Sequence, residues 1–181
     1  DPYLDVLGGG EKYWLSMLKV LESLGYEPTI FWDKDFSNKI KKTLNISFNS
    51  VHFESNIFRD KTLTPFQRFL KLREYDVFLY MTDGSYFFSG AKKNIVYAMV
   101  PLQSLYDVSM FNKLKHFNWE FITHSYFTQQ HLEKWGIHPK VLYPYLEDDF
   151  IHSPHVEKKP IILFVGRFFG QLHSKNHEKM I

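Results

Sequence analysis

The sequence contains no cysteine, and this absence removes several kinds of chemistry. Disulfide bonds, thiolate metal sites and cysteine nucleophiles are all excluded, and the composition agrees with a cytoplasmic location. The chain has no apolar run near the ~20 residues that cross a bilayer, and it has no signal-peptide pattern. Its formal net charge is only +2, so bulk electrostatics give no reason to expect a nucleic-acid partner.

Aromatic side chains, by contrast, are abundant, with 18 Phe and 11 Tyr. Hydrophobic residues make up 44% of the chain and charged residues 23%, which is typical of a globular protein rather than a disordered one. The 181 residues suffice for one well-packed domain with little left for a second. The chain begins at Asp1 and ends inside a helical pattern, so we expect it to be a fragment of something longer.

Strand and helix patterns alternate along the chain. After Gly8-Gly-Gly10 comes a helix with a buried stripe that ends at Gly25, followed by a strand that ends at Asp33. Further strands are predicted at residues 50–53, 76–80, 93–98, 121–123 and 140–142, and further helices at 39–44, 64–75, 110–117 and 125–135. This order predicts an α/β fold with a Rossmann-like, open, mostly parallel sheet flanked by helices.

We predict three regions from the same patterns. Residues 1–150 form a Rossmann-like N-terminal domain, and residues 151–160 have the composition of a linker. Residues 161–181 read as the first strand, loop and helix of a C-terminal domain that is truncated here. Ligands of such folds bind at the carboxyl ends of the strands, where Gly8–Gly10 and Thr82–Ser85 are expected to lie.

The last region combines features that suit a phosphate group. An apolar strand, Ile161–Val165, leads through Gly166 to Arg167, and Lys175 precedes a helical run. A planar guanidinium, an ammonium group and a helix N-terminus all favour phosphate oxygens. The alternative is that Arg167 and Lys175 are ordinary solvated loop charges.

Several segments in the same order along the chain resemble glycosyltransferase family 4, whose members have the GT-B fold. The most specific is Val165-Gly-Arg-Phe-Phe followed by His173-Ser-Lys-Asn-His-Glu, which looks like the opening of that family's C-terminal domain. Gly8-Gly-Gly-Glu11 resembles its glycine-rich loop. Two more segments fit its N-terminal domain and linker: Thr123–Thr128 with Trp135-Gly136, and Val141–Pro144 with Asp148–Phe150.

The resemblance implies a hexosyltransferase that moves a sugar, with retention, from a nucleotide-sugar donor to a glycan, lipid or other acceptor. It implies no metal and no cofactor besides the donor substrate. Arg167 and Lys175 match the catalytic pair that holds the donor diphosphate and stabilises the leaving group. Gly9 and Gly10 match the loop that lets the backbone approach the donor. This chain alone is expected to be inactive, because half of the cleft is absent.

The acceptor side is less well marked. The family's C-terminal Glu pair has no counterpart here, and its N-domain catalytic His cannot be placed. The turn where it is expected reads Thr82-Asp-Gly-Ser85, so Asp83 and His124 are the acceptor-side candidates. Many relatives in the family contact membranes, which suggests a peripheral site at the inner face of the membrane. The lysines available for such a contact are Lys39, Lys41, Lys42, Lys92 and Lys93.

Two other functions are considered. A dinucleotide-dependent oxidoreductase would use Gly8, Gly10 and Asp33, although Tyr13 stands where its third glycine is required. A non-catalytic binding domain with a Rossmann-like fold is the other alternative. A metal site is disfavoured despite nine histidines, because no H-E-x-x-H pattern occurs and the histidines in the later part of the chain (His152, His155, His173 and His177) read as surface residues.

Overall fold

A computed structural model of the chain describes residues 4–106, 109–146, 151–152, 157 and 159–162. The chain divides into two compact units, Asp1–Tyr145 and Leu146–Ile181. All helices and strands discussed below lie in the first unit. The predicted strand, loop and helix at residues 161–181 lie almost wholly outside the described residues, so the predicted domain boundaries stay a prediction.

The first unit alternates helices and strands, as the sequence predicts. The helices are α1 (Gly9–Ser23), α2 (Ser37–Leu44), α3 (Pro65–Leu72), α4 (Met110–Lys115) and α5 (Tyr126–Lys134). The strands are β1 (Thr29–Phe31), β2 (His52–Glu54), β3 (Val77–Met81), β4 (Lys93–Tyr97), β5 (Trp119–Thr123) and β6 (Lys140–Val141). The predicted α/β class is confirmed: parallel strands, flanked by helices, form an open Rossmann-like arrangement.

The strands form two sheets rather than one. Strand β1 pairs with β2, and the second sheet has the order β3-β4-β5-β6. Every pairing is parallel, with Leu79 opposite Ile95 and Val96 opposite Phe121 in the larger sheet. Parallel neighbours require crossover connections. Helix α2 connects β1 with β2, α4 connects β4 with β5 and α5 connects β5 with β6, whereas the chain between β3 and β4 contains no helix. The carboxyl ends of β3 to β6 therefore meet at one edge.

Helix α1 packs against both sheets through different side chains. Leu15 joins the cluster that includes Trp32, which follows β1, whereas Trp14 packs with Met81 and Tyr97 of the larger sheet. The helix ends at Ser23, and Gly25 just after it has a φ of +92°, the left-handed conformation typical of a glycine that follows a helix. The N–H of Tyr26 reaches back to the carbonyl of Leu21 at 3.1 Å, which closes the last turn.

The opposite face of the larger sheet carries the main core. It is rich in rings: Phe78, Tyr80, Trp119 and Phe121 are all buried there. The side chain of Phe87 packs on this cluster, with its ring centroid 5.1 Å from that of Tyr80 and 5.1 Å from that of Trp119. The abundance of aromatic residues is therefore used largely for packing.

Polar side chains cap several helix starts. Thr64 and Gln67 form a capping box at the start of α3, with the Thr64 N–H donating to Gln67 Oε1 at 2.8 Å. Ser125 caps α5 by accepting the N–H of Thr128 at 3.2 Å. Ser37 is the first helical residue of α2, and Asp35 Oδ1 accepts its N–H at 2.7 Å. Among the described residues, no helix is both long and apolar enough to span a membrane.

Candidate functional site

The start of α1 lies beside the carboxyl ends of the larger sheet. Two contacts fix this position: Gly10 packs against Met99, which follows β4, and the Tyr13 hydroxyl donates to the carbonyl of Leu142, which follows β6, at 2.6 Å. This edge is where open parallel sheets bind their ligands. It is therefore the candidate site, and it brings together residues from α1, β4, β5 and β6.

The two predicted donor-binding glycines differ in their surroundings. A Cβ built on Gly9 has nothing within 4 Å, so that position borders open space. A Cβ on Gly10 would lie 2.9 Å from Met99 Sδ and 3.6 Å from Met81 Cε. Gly10 therefore permits a close contact within the protein, whereas Gly9 leaves room for a ligand.

The helix start also presents backbone donors. The first N–H groups of an α-helix have no partner within the helix, so those of Gly9 and Gly10 are suited to an anion. The Gly8 N–H is already used, because it donates to Glu11 Oε2 at 2.6 Å. Glu11 is itself buried. Its side chain already occupies the Gly8 side of the positive end of the helix dipole, and the Gly9 side borders open space.

His124 follows β5, and its side chain contacts that of Tyr97, the last residue of β4. Its Nδ1 lies 3.3 Å from the Tyr97 hydroxyl oxygen, and the two rings meet edge to face at 6.1 Å. Burial lowers the pKa of His124 from its ordinary value, so the imidazole is neutral at pH 7. The contact at Nδ1 orients the ring and leaves Nε2 for a second partner. A neutral, oriented imidazole can accept a proton from a hydroxyl group.

Tyr97 is held by the first turns of α1. Its ring lies 4.8 Å from that of Tyr13 and stacks on that of Trp14 at 5.8 Å. Burial raises the pKa of Tyr97 and raises that of Tyr13 to about 12, so both phenols stay protonated. The pair thus forms a rigid neutral support behind His124. Tyr13 fills the position where a dinucleotide fold has its third glycine.

Asp83, the other acceptor-side candidate, is engaged in its own turn. Its Oδ1 accepts the Tyr80 hydroxyl at 2.6 Å and the Ser85 N–H at 3.0 Å. Burial opposes ionisation of Asp83, but these hydrogen bonds outweigh it, and its pKa is lowered. The turn also needs Gly84, whose φ is +91°. Asp83 is therefore a charged residue that holds the loop after β3.

The structure brings some of the predicted site residues together and not others. Gly9, Gly10 and His124 share the carboxyl edge. Asp83 follows β3 and His124 follows β5, so with β4 between them these strand ends are about 10 Å apart. Arg167 and Lys175, the predicted diphosphate ligands, lie outside the described residues, as do Asp148 and Asp149.

Two other predictions concern residues away from this edge. The oxidoreductase alternative needs Asp33 to bind a ribose. In the structure, Asp33 Oδ1 accepts the N–H of Asn56 at 2.8 Å, and this hydrogen bond links the segments that follow β1 and β2. Within the described ranges, no group of three or more His, Asp or Glu residues could hold a metal ion.

Tyr97 and Met99 are site residues that the sequence analysis missed. The sequence predicts Tyr97 only as part of a strand. It is the last residue of β4, and a tyrosine at the carboxyl end of a parallel strand could have indicated a site residue. No pattern identifies Met99, because its contact with Gly10 depends on how α1 crosses the sheet.

The chain was also compared with protein-family models, with curated proteins and with solved structures, and none of the three comparisons gave a match.

Proposed function

We propose that this chain is the acceptor-side domain of a nucleotide-sugar-dependent glycosyltransferase with a GT-B architecture. The observation that carries the proposal is the carboxyl edge of the larger sheet. There an open helix start at Gly9 and a neutral, oriented imidazole at His124 lie on the same side of one sheet. Both features suit a donor that carries phosphate and an acceptor that carries a hydroxyl group.

His124 and the start of α1 take different parts in this proposal. The backbone N–H groups of Gly9 and Gly10 contact the donor, at the place where Gly9 leaves space for it. His124 Nε2 contacts the acceptor hydroxyl, with Tyr97 holding the ring from behind. Asp83 keeps the neighbouring loop in place and does not take a proton.

The remaining parts of the proposal rest on the sequence resemblance. Arg167 and Lys175 would bind the donor diphosphate and stabilise the charge on the leaving group. Transfer would occur with retention and without a metal, to a glycan, lipid or other acceptor. A cytoplasmic location at the inner face of the membrane belongs to the same proposal.

The test is ligand binding by the 181-residue chain. Thermal unfolding would be followed with UDP-glucose, GDP-mannose and NAD⁺ present in turn, because a ligand that binds only the folded state raises the midpoint. We expect at least one sugar nucleotide to raise it, NAD⁺ to leave it unchanged, and no sugar transfer to be detected. A shift with NAD⁺ alone would favour the oxidoreductase alternative.

Two pairs of variants refine this test. His124→Ala should keep the donor shift and lose any additional shift caused by a sugar acceptor, while His52→Ala, at an exposed position of β2, should change neither. Arg167→Ala and Lys175→Ala should reduce the donor shift. If all four variants respond as the original chain does, the assignment of the site is wrong.

A further inference from the structure

A cleft of about 360 Å³ lies at the amino ends of β5 and β6. Trp119 and Glu120 line it from the start of β5, and Lys140 lines it from the start of β6. Lys113 lines it from α4, and Phe117 from the segment just after that helix. The cleft is therefore at the opposite end of the strands from the carboxyl edge that forms the candidate site. Its volume falls within the range of about 300–1,000 Å³ that is usual for small-molecule sites.

Several residues of the cleft lining carry aromatic rings. They include His116, Phe117, Trp119 and Phe121. The centroid of the His116 ring lies 5.6 Å from that of Phe121 and 6.0 Å from that of Trp119. Burial lowers the pKa of His116, so its imidazole is a neutral ring at pH 7 and not a cation. Because aromatic rings pack well against one another in stacked or edge-to-face contacts, this lining favours a ligand that contains a flat ring.

Two ring nitrogens of the lining residues are buried and have no hydrogen-bond partner among the described residues. They are His116 Nε2 and Trp119 Nε1, and Trp119 as a whole is only 8% exposed. Buried polar atoms in folded proteins almost always have a partner, and an indole N–H can only donate. The two nitrogens therefore indicate a ligand with polar atoms. Both are covered from solvent, and Phe117, which is 74% exposed, is the lining ring that can turn to admit a ligand without disturbing the core.

The charged groups of the cleft favour a ligand with a single negative charge. Its two ammonium groups belong to Lys113 and Lys140, and its carboxylate belongs to Glu120. Glu120 lies 3.4 Å from Lys140 Nζ and 3.6 Å from Lys93 Nζ, so its charge is already compensated. Lys113 has no carboxylate within ion-pair distance in the part of the chain that the structure describes. A monoanion therefore finds a cation at Lys113, whereas a second negative charge would face Glu120.

We propose that this cleft binds a small aromatic carboxylate. The ring of the ligand packs against Phe117 and Phe121. Its carboxylate contacts Lys113, and one carboxylate oxygen accepts the N–H of Trp119. Such a ligand supplies the flat ring, the single charge and the hydrogen-bond acceptors that the lining favours. The proposed transfer of a sugar concerns the other edge of the sheet, so this binding site does not depend on it.

Nuclear magnetic resonance of the isotope-labelled 181-residue chain tests the proposal. The sequence has four tryptophans, each with one indole N–H signal, and Trp119→Phe identifies the signal of Trp119 by its loss. Cinnamate should shift this signal and leave those of Trp14 and Trp32 in place, because these residues belong to other clusters. Cinnamyl alcohol, which lacks the charge, should bind about tenfold more weakly or less. Cyclohexanepropionate, which lacks the aromatic ring, should bind about threefold more weakly or less.

Two variants examine the polar contacts. Lys113→Gln should weaken cinnamate binding about two- to fivefold, because Lys113 is exposed and its ion pair is screened by water. Lys134→Gln changes an exposed lysine of α5 outside the lining and should leave the affinity unchanged. Trp119→Phe keeps a ring but removes the buried N–H, and it should weaken binding about threefold or more.

Three results would overturn the proposal. One is a Trp119 signal that stays in place at millimolar cinnamate, or that moves no more than those of Trp14 and Trp32. Another is equal affinity for cinnamate and cinnamyl alcohol, and the third is an affinity that neither Lys113→Gln nor Trp119→Phe changes. The spectrum of each variant reports its fold. If Trp119→Phe does not fold, Lys113→Gln decides the question, since an exposed lysine can be replaced without disturbing the core.

Discussion

Gly9 and Gly10 at the start of α1 and Gly25 after its end provide a prediction. Substituting them separates an effect on stability from an effect on ligand binding. Gly9 borders open space, so a methyl group added there meets no atom within 4 Å. Alanine has a higher helix propensity than glycine by about 1 kcal/mol in a helix interior, and Gly9 lies at the first position of the helix, where we expect about half of that or more. Gly9→Ala should therefore raise the free energy of unfolding by about 0.5–1 kcal/mol, which is roughly 1–4 °C in Tm for a chain of this size.

The same substitution should weaken the binding of a sugar nucleotide. If the donor approaches the helix start where Gly9 leaves room, the new methyl group occupies that room. Urea unfolding followed by tryptophan fluorescence measures the stability, and the shift in Tm with the donor measures the binding. We expect a more stable protein with a smaller donor shift.

Two other glycines, one at each end of α1, supply matched controls. Gly25→Ala should cost roughly 1–2 kcal/mol, because φ at this position is +92°, and should leave the donor shift unchanged. Gly10→Ala gains helix propensity but places a Cβ 2.9 Å from Met99 Sδ, the flexible part of a side chain, so its net effect on stability should be within about 1 kcal/mol of zero. A Gly9→Ala protein that is less stable, or one with an unchanged donor shift, would refute the reasoning.

Three further predictions concern the support of the site. Tyr13→Phe removes the 2.6 Å hydrogen bond to the Leu142 carbonyl and should lower the free energy of unfolding by about 1–2 kcal/mol, as measured by urea unfolding. Leu132→Ala empties a position with no exposed surface and should cost about 2–5 kcal/mol in the same assay. Burial lowers the pKa of His124 below its ordinary value of 6.5, so His124 binds a proton more readily in the unfolded chain than in the folded one. The free energy of unfolding should therefore fall as the pH drops through about 6.5. The fall should be smaller in His124→Gln.

Each of these has a control and a contradicting result. Tyr143→Phe alters a half-exposed ring and should be neutral; an equal loss in both tyrosine variants would remove the argument from the hydrogen bond. A loss below 1 kcal/mol in Leu132→Ala would mean that the core around α5 collapses easily. For His124, NMR titration gives the pKa directly, and a value above 6.5 would reverse the sign of the pH effect.

Much of the fold could be predicted because its signals are local. The capping box at Thr64, the left-handed glycines at Gly25 and Gly136, and the apolar strands around Phe78 each depend on neighbours within a few residues. Backbone geometry at such positions is decided by steric limits and nearby hydrogen bonds. The division into two sheets was not predicted, since strand pairing depends on contacts between segments far apart in the sequence.

The candidate site was predicted only in part for the same reason. His124 was identified from its position after a strand, but its neutral state depends on burial and its orientation depends on Tyr97, 27 residues earlier. Asp83 looked equally suitable in the sequence, and only its hydrogen bonds to Tyr80 and Ser85 reveal a structural role. Gly9 and Gly10 read alike in the sequence, yet one borders open space and the other a methionine.

The sequence alone is enough for the α/β class and the approximate positions of the helices, because periodicity and capping are short-range properties. The absence of cysteine also determined which chemistries were excluded. Tertiary structure decided which side chains are free to act. It packed Phe87 against the core, engaged Asp83 in its turn and left Gly9 beside open space. Burial and long-range contacts are properties of the packed chain, and no stretch of residues specifies them alone.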